Sequence, residues 1–487
     1  MRFSLNGIPK NGRQIYMSTI NIGNRREVFW DNFLIDTERT TAFPRLMQPI
    51  KREACFYFDQ GGEKDCTISY PCIIQDAAGY KMYYIAWKNG ALDLYDLDLD
   101  QLPCLCVLES KDGIHWTRPD LNITVHPEYD KNNVILDHLV EGPYVFYDHS
   151  PLCKPGEEYK LVTLAWKEEN GKKVRDMLWC WVSGDGYHFE KKYPITGKGA
   201  FDSMNTIQWH DGKYVCFMRG YENNIRDIRV CYSDDFLNWT APVQITFDDD
   251  KIYQLYTNNI IPYERAPHML IGFPTRYNER QEWTPNNDQI GSSAVKLSVM
   301  SAQEKRSGLA ATDSIFMCSR DGLKWHRHNE AFLTPGYEGE HNWVYGDCYF
   351  AYNFVDSGQD TYSLFAHERH RSLGLPKPLY RYEIRKDGFA CIMADGTERV
   401  LVTKPLTFEG NLLHLNFETS AYGYIYVDVL DPDGNPLSSG RSFEIYGNHL
   451  DRKVWFADGT DFSEYAGRPV RLRFTMCDAK IYSFQFE

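Results

Sequence analysis

Three acids stand just ahead of strand-like segments, where a side chain would project from the end of a sheet: Asp65 before 70–74, Glu141 before 144–147 and Asp202 before 205–209. Asp31, between Trp30 and Asn32, is an alternative to Asp65, and Glu338 and Glu340 precede His341-Asn342-Trp343. Carboxyls presented in pairs suit general acid/base chemistry, because one, protonated, assists a leaving group while the other, ionised, attacks or activates water. Each acid also has a plainer reading as a turn or solvent residue. Asp202 leads because Asp202, Asn205 and Arg219 depart from a pattern that the rest of the chain repeats.

A second set lies at the ends of the strands that follow: Arg219, Arg276, His367 and Arg369. Guanidiniums gathered at one mouth could clamp the carboxylate of an acidic sugar, or a phosphate, with paired hydrogen bonds. They could equally pair with Asp202 or Glu141. Tyr70, Tyr144, Tyr256 and Trp343 could stack on sugar faces, with Asn205 and Asn258 bonding hydroxyls, or could pack between sheets. Asp148 falls at a turn when the strand from Tyr159 is aligned with its counterparts, which predicts a structural role.

These residues sit on a repeat. Ser110-Lys-Asp-Gly-Ile-His-Trp116, Ser183-Gly-Asp-Gly-Tyr-His-Phe189, Ser233-Asp-Asp-Phe-Leu-Asn-Trp239 and Ser319-Arg-Asp-Gly-Leu-Lys-Trp325 share one turn signature, with a weaker fifth at 385–389. Ser and Asp side chains bond nearby amides, and Gly takes the left-handed backbone. Before each turn come two strand-like segments, the second beginning near Tyr80, Tyr159, Tyr214, His268 or Tyr362. Five such units predict an all-β fold, a five-bladed β-propeller over 61–394. Residues 1–60 are expected to pack on or close it, and the alternating strands of 395–487 to form a small C-terminal β-sandwich. The stretch 277–312, helical around 301–307, interrupts the fourth unit and reads as a lid, a partner arm or a mobile loop.

The turn signature resembles the Asp-box of sialidases and other propellers, where it usually lies far from the active site. A five-bladed propeller followed by a β-sandwich resembles the glycoside hydrolases of family 32, and the propeller alone resembles families 43, 62 and 68. Phe201 to Asn205, Asn342 to Val344, Lys386 to Phe389 and Pro469 to Phe474 are similar to runs shared by a group of bacterial family-32-like proteins. The resemblance implies a glycosidase acting on a small oligosaccharide or glycoside, a furanoside or an acidic sugar among the choices. Only Asp202 has a positional counterpart in the family, that of its acid/base glutamate. The family's other acidic motifs do not occur in this chain, so a non-catalytic carbohydrate-binding propeller or an oligomer-forming scaffold stays open.

Composition agrees with these expectations. The 487 residues carry a formal charge of −14, 33 Tyr and 12 Trp. An acidic chain has no basic stripe to neutralise a phosphate backbone, so no nucleic-acid partner is expected. Apolar runs of membrane-spanning length and a leader-like start are both missing from the sequence, which predicts a soluble, cytoplasmic protein without a membrane partner. The 13 Cys are scattered without a C-x-x-C, which predicts reduced thiols and no metal site. With no glycine-rich phosphate loop, Gly-x-Ser-x-Gly elbow or His-Glu-x-x-His motif, no cofactor is expected. A homo-oligomer is compatible with the sequence.

Overall fold

The structure, a computed structural model, describes residues 19–60, 63, 66–88, 104–124, 131–136, 141–169, 172–302, 305–358, 360–372, 374–437, 441–456, 459 and 461–487. Asp65 lies outside the described residues, as does the side chain of Glu141. The fold is mostly β, with many small sheets. Two units partition the chain: Leu46–Phe389, and residues up to Arg45 together with Ala390–Glu487.

Five antiparallel sheets of the first unit follow one another along the chain. The first joins Cys66–Asp76, Gly79–Lys88, Cys104–Ser110 and Val134–Leu136; the second joins Glu141–Tyr147, Tyr159–Glu169, Lys172–Ser183 and Glu190–Thr196. The third consists of Thr206–His210, Lys213–Glu222, Ile225–Ser233 and Val243–Gln244. In the fourth, Ile260–Pro262, Leu270–Gly272, Met317–Ser319 and Lys324–Arg327 are extended by Thr246–Phe247, which adds in parallel. The fifth is Val355–Asp356, Thr361–His367 and Lys377–Arg385, completed on its outer edge by Ile50–Phe58. Thus the late part of the expected N-terminal segment closes the last sheet, while residues 19–45 belong to the other unit.

Neighbouring sheets are fastened in cyclic order. Tyr352 N–H donates to Pro71 O at 2.7 Å between the fifth and first sheets, and Val145 N–H approaches Cys72 Sγ at 3.4 Å between the first and second. Tyr214 Oη donates to Asp148 Oδ2 at 2.8 Å, Thr206 Oγ1 to Asn258 Oδ1 at 3.1 Å, and Asn259 Nδ2 to Phe350 O at 2.8 Å, which carries the chain of contacts round to the fifth sheet. Apolar side chains fill the spaces between sheets. Phe58, Ile68, Met82 and Leu108 meet Phe365 and Leu379, and Val215, Phe217 and Val230 meet Leu270, Met317 and Trp325.

The repeated turns are built alike. In the second sheet Ser183 Oγ accepts the Gly186 N–H at 3.0 Å, and Asp185 Oδ1 accepts those of Tyr187 and His188 at 2.8 and 2.9 Å. Burial alone would raise the Asp185 carboxyl, but these amide donors, with the His188 ring and the Ser183 hydroxyl, hold it well below the usual carboxylate range. Gly113, Gly186 and Gly322 all take positive φ, the conformation the turn requires. Asp185→Ala is expected to cost about 1 kcal/mol, the net worth of one or two such bonds, measured by urea denaturation; no change would mean that water replaces them.

The second unit is organised by two long antiparallel strands, Leu413–Leu430 and Arg471–Phe486. Glu27–Val28, Ala390–Ala394 and Arg399–Val402 pair with the latter, and Asn448–Lys453 with the former. Alternating Leu413, Leu415, Phe417, Val427 and Val429 share one core with Leu472, Phe474 and Phe484. Asp31 belongs to this unit, where it accepts the Phe33 N–H at 3.1 Å, and so it is not carried by the first sheet for which it was an alternative acid.

Candidate functional site

Bulky residues adopt left-handed backbone within or ahead of the first strands: Tyr70 (φ 53°) inside Cys66–Asp76, Phe201 (φ 59°) ahead of Thr206–His210 and Trp343 (φ 62°) in the loop ahead of Val355–Asp356. Such conformations cost about 1–3 kcal/mol each and tend to cluster at functional sites. Around Phe201 the chain is held by Asn205, whose Nδ2 donates to Phe201 O at 3.1 Å and Ser203 O at 2.7 Å, while its Oδ1 accepts the Arg219 N–H at 3.0 Å. Asn205 is fully buried and spends itself on backbone. It positions the loop rather than presenting an amide to a ligand.

That loop displays Asp202. Its side chain is 34% exposed, with Oδ1 3.8 Å from Arg219 Nη2. Oδ1 is shielded from water and accepts no hydrogen bond. Arg219 is buried, donates through Nη1 to Tyr256 O at 2.9 Å, and lies over the Tyr256 ring at 4.5 Å. Burial would lower its guanidinium, yet Asp202 and the surrounding phenols carry it above its ordinary value. The result is a fixed cation beside a carboxylate that still has an acceptor atom unused.

Tyrosines complete the cluster. Tyr256 packs edge-on to Tyr345 at 5.5 Å and stacks with Tyr349 at 5.7 Å, and Tyr277 meets Tyr345 at 5.3 Å. Arg226 and Arg371 cover Tyr277 and Tyr345 at 4.4 and 4.5 Å. Burial pushes the phenols of Tyr70, Tyr256 and Tyr349 up, and the charge of Asp202 adds to the effect on Tyr70 and Tyr256. They stay neutral hydroxyls, able to donate hydrogen bonds and ill suited to act as phenolate nucleophiles. Tyr345, Tyr349 and Tyr277 were not singled out from the sequence; the aromatic run from Trp343 to Tyr352, ahead of Val355–Asp356, was the available signal.

The insertion braces this cluster. It folds into the helices Pro285–Gln289, Ser293–Ala302 and Lys305–Leu309, so helix extends well before 301. Lys296, buried, donates to Ala310 O at 2.8 Å and Trp343 O at 3.2 Å, and burial pushes its ammonium down to about 8. Gly291 lies so close to Gly339 that a Cβ would come within 2.7 Å of its carbonyl oxygen. Beneath the same loop Asp347 accepts the Val344 N–H at 2.9 Å, and burial, which outweighs that bond, pushes its carboxyl up to about 7.

A folded-state pKa above the unfolded value of 3.8 means that the native state binds more protons between the two. Stability contributed by this group is therefore lost as pH rises from about 4 to about 7, and is constant above. Asp347→Asn, which can still accept the Val344 N–H, is expected to flatten that slope and to exceed the parent in stability at pH 8. Denaturation midpoints across the range test this, and an unchanged slope would assign it to other groups.

The remaining candidates are placed as follows. Asn258 is buried and bonded to Met204 O, Phe217 O and Thr206 Oγ1, so it is a fastener between sheets. Arg276 is engaged by both oxygens of Asp313, at 2.9 and 2.7 Å. His367 Nε2 lies 2.9 Å from His370 Nδ1, and burial pushes His367 down to about 4, leaving it neutral. Arg369 (φ 62°) approaches Pro376 O at 3.4 Å, Trp343 Nε1 donates to Gly336 O, and Glu340 is exposed, 3.8 Å from His341 Nε2. Tyr144 packs edge-on to Tyr352 at 4.3 Å between sheets. The backbone at Glu141 runs beside the Asp202 loop, for a Cβ on Gly142 would fall 2.2 Å from Ser203 O. Among the described residues of the other unit, His414, Asp451 and Glu487 offer atoms within 4.8 Å of one another and could hold a metal.

No protein-family model matches the chain, and no curated protein matches it. Among solved structures it is similar to a glycoside hydrolase (11% identity, TM-score 0.43), over 69% of this chain and 92% of that one. It is similar to an N-acetylgalactosamine deacetylase from F. plautii in complex with blood group B trisaccharide (11% identity, TM-score 0.40, 90% and 95%). A mannose phosphorylase from Leishmania mexicana in complex with phosphate ion gives 11% identity and a TM-score of 0.41, over 70% and 89%. No helix among the described residues is long and apolar enough to cross a membrane.

Proposed function

We propose that the five cyclically fastened sheets are the blades of a five-bladed β-propeller with an appended β-sandwich, and that the chain is a glycosidase working at the Asp202 end. The observation that carries this reading is the Asp202 carboxyl itself: part-exposed, with an unbonded Oδ1 beside the buried Arg219 and a wall of neutral tyrosines. Asp202 serves as the proton-transferring carboxyl. Glu141 is its ionised partner, a choice supported by the closeness of Gly142 to Ser203, with Asp65 as the alternative. The Tyr70 and Tyr256 phenols donate to sugar hydroxyls.

Arg219 and Arg276 are engaged by Tyr256 O and Asp313, which favours a neutral glycoside over an acidic one. The test is turnover by the native protein on a panel of nitrophenyl furanosides, hexopyranosides and uronic-acid glycosides. Turnover of a neutral member supports the reading. Binding without turnover across the panel would establish a non-catalytic carbohydrate-binding propeller instead.

A further inference from the structure

A cavity of about 420 Å³ opens at the opposite ends of the same first strands. Its lining takes Ile73–Gln75 of the first sheet and Ile207–Trp209 of the third, three or more residues along the chain from Tyr70 and five or more from Asp202, which is about 10 Å or more of strand. The size is that of a site for a small ligand. Its floor holds Tyr144 and Tyr352, and Trp209, Tyr80 and Phe354 stand half-buried around it. Gln75, His149, Glu264 and Asn353 supply an exposed polar rim.

Two observations indicate what the cavity takes. Gln208, 7% exposed, accepts the Tyr352 hydroxyl at 3.2 Å through Oε1, and its Nε2 makes no hydrogen bond. A buried amide donor left unmatched is costly, and an incoming acceptor would recover that cost. The charges at the wall are also matched within the protein: Asp148 by Lys160 at 2.7 Å, Asp356 by Lys386 at 2.8 Å, and Glu264 accepts from Tyr362 at 2.7 Å. The described lining includes no Lys or Arg, and its acids, Asp148, Glu264 and Asp356, disfavour an anion. Flat rings, amides and a carboxylate around a space of this size suit a neutral ring bearing hydroxyl groups.

We infer that this cavity is a second, non-catalytic binding site for a neutral monosaccharide unit, distinct from the Asp202 cluster. Gln208 Nε2, shielded from solvent beside the Tyr352 hydroxyl, reaches a ring oxygen or hydroxyl once its side chain turns into the cavity, the aromatic rim covers a sugar face, and Glu264 accepts from adjacent hydroxyls. The site does not require that Asp202 be catalytic.

The test uses the full chain and the methyl glycosides of glucose, galactose, mannose and arabinofuranose, with binding followed by titration calorimetry and ligand-observed NMR. At least one is expected to bind, with affinity reduced about tenfold or more, some 1.4 kcal/mol, in Gln208→Leu and in the exposed-rim variant Gln75→Ala. The same affinity is expected within about twofold in Asp202→Asn. The rim variant keeps the test valid should Gln208→Leu disturb folding. Binding lost in Asp202→Asn and kept in both far-end variants would overturn the inference, because the sugar would then sit in the Asp202 cluster. Failure of every glycoside to bind would overturn it as well. Loss of turnover in Asp202→Asn bears only on the glycosidase reading, so the two can fail separately.

Discussion

Asp202→Asn is expected to lower turnover of whichever glycoside the native protein cleaves by about 10²–10⁴-fold, the usual worth of a positioned acid/base carboxyl. The substitution keeps the side chain's shape and removes its negative charge, and with it both its proton chemistry and the ion pair with Arg219 at 3.8 Å. Asp202 is the right residue to change because its Oδ1 accepts no hydrogen bond, so none to that atom is lost. Arg219 keeps its bond to Tyr256 O, and Asn205 still ties the loop at Phe201 and Ser203. The loss should fall on kcat more than on KM, since the group acts in the transition state. Full turnover in a folded Asp202→Asn protein would remove this residue from the mechanism.

The largest effect on stability is expected at the far ends of the second and third sheets. Lys160 and Asp148 are both nearly inaccessible and lie 2.7 Å apart. Asp148 Oδ2 also accepts the Tyr214 hydroxyl at 2.8 Å and Oδ1 the Ser150 N–H at 2.9 Å, while Lys160 donates to Glu157 O at 2.9 Å. Burial would lower the Lys160 ammonium, but the bond and charge of Asp148 raise it, so Lys160 stays charged. Lys160→Met leaves the carboxylate buried without its cation, at a cost of about 3–5 kcal/mol. The double variant Lys160→Met with Asp148→Asn removes both charges and should recover much of that loss. Chemical denaturation of the three proteins tests the pair. A single-variant cost below about 1 kcal/mol, or a double variant worse than the single, would contradict the assignment.

The strands and turns were legible because their signals are local. Ser and Asp, with Gly or, in the third turn, Phe236 in the left-handed position, shape each of the four turns, and Asp112, Asp185, Asp235 and Asp321 form the bonds that the pattern implies. Pairing across long sequence separation was not legible: Ile50–Phe58 is an edge strand on Lys377–Arg385, and Glu27–Val28 pairs with Arg471–Phe486. The same distinction holds at the site. Asp202 and Arg219 could be found because both break the repeated pattern. That Asn205 and Asn258 serve backbone groups, and that Arg276 is engaged by Asp313, depends on partners placed by folding. Tyr345 and Tyr349 reach the cluster through a loop held in part by Lys296, a residue whose polarity suggests solvent but whose ammonium binds Trp343 O. No short-range pattern encodes that contact.

The most direct measurement is a crystal structure of the Asp202→Asn protein soaked with the glycoside that the native protein hydrolyses. The expected result is a sugar bound against Tyr70 and Tyr256, with its glycosidic oxygen about 3 Å from the side chain at position 202 and the Glu141 carboxyl on the other side of the scissile bond. A substrate held only in the cavity at the far ends of the strands, with the Asp202 cluster vacant, would contradict the glycosidase reading.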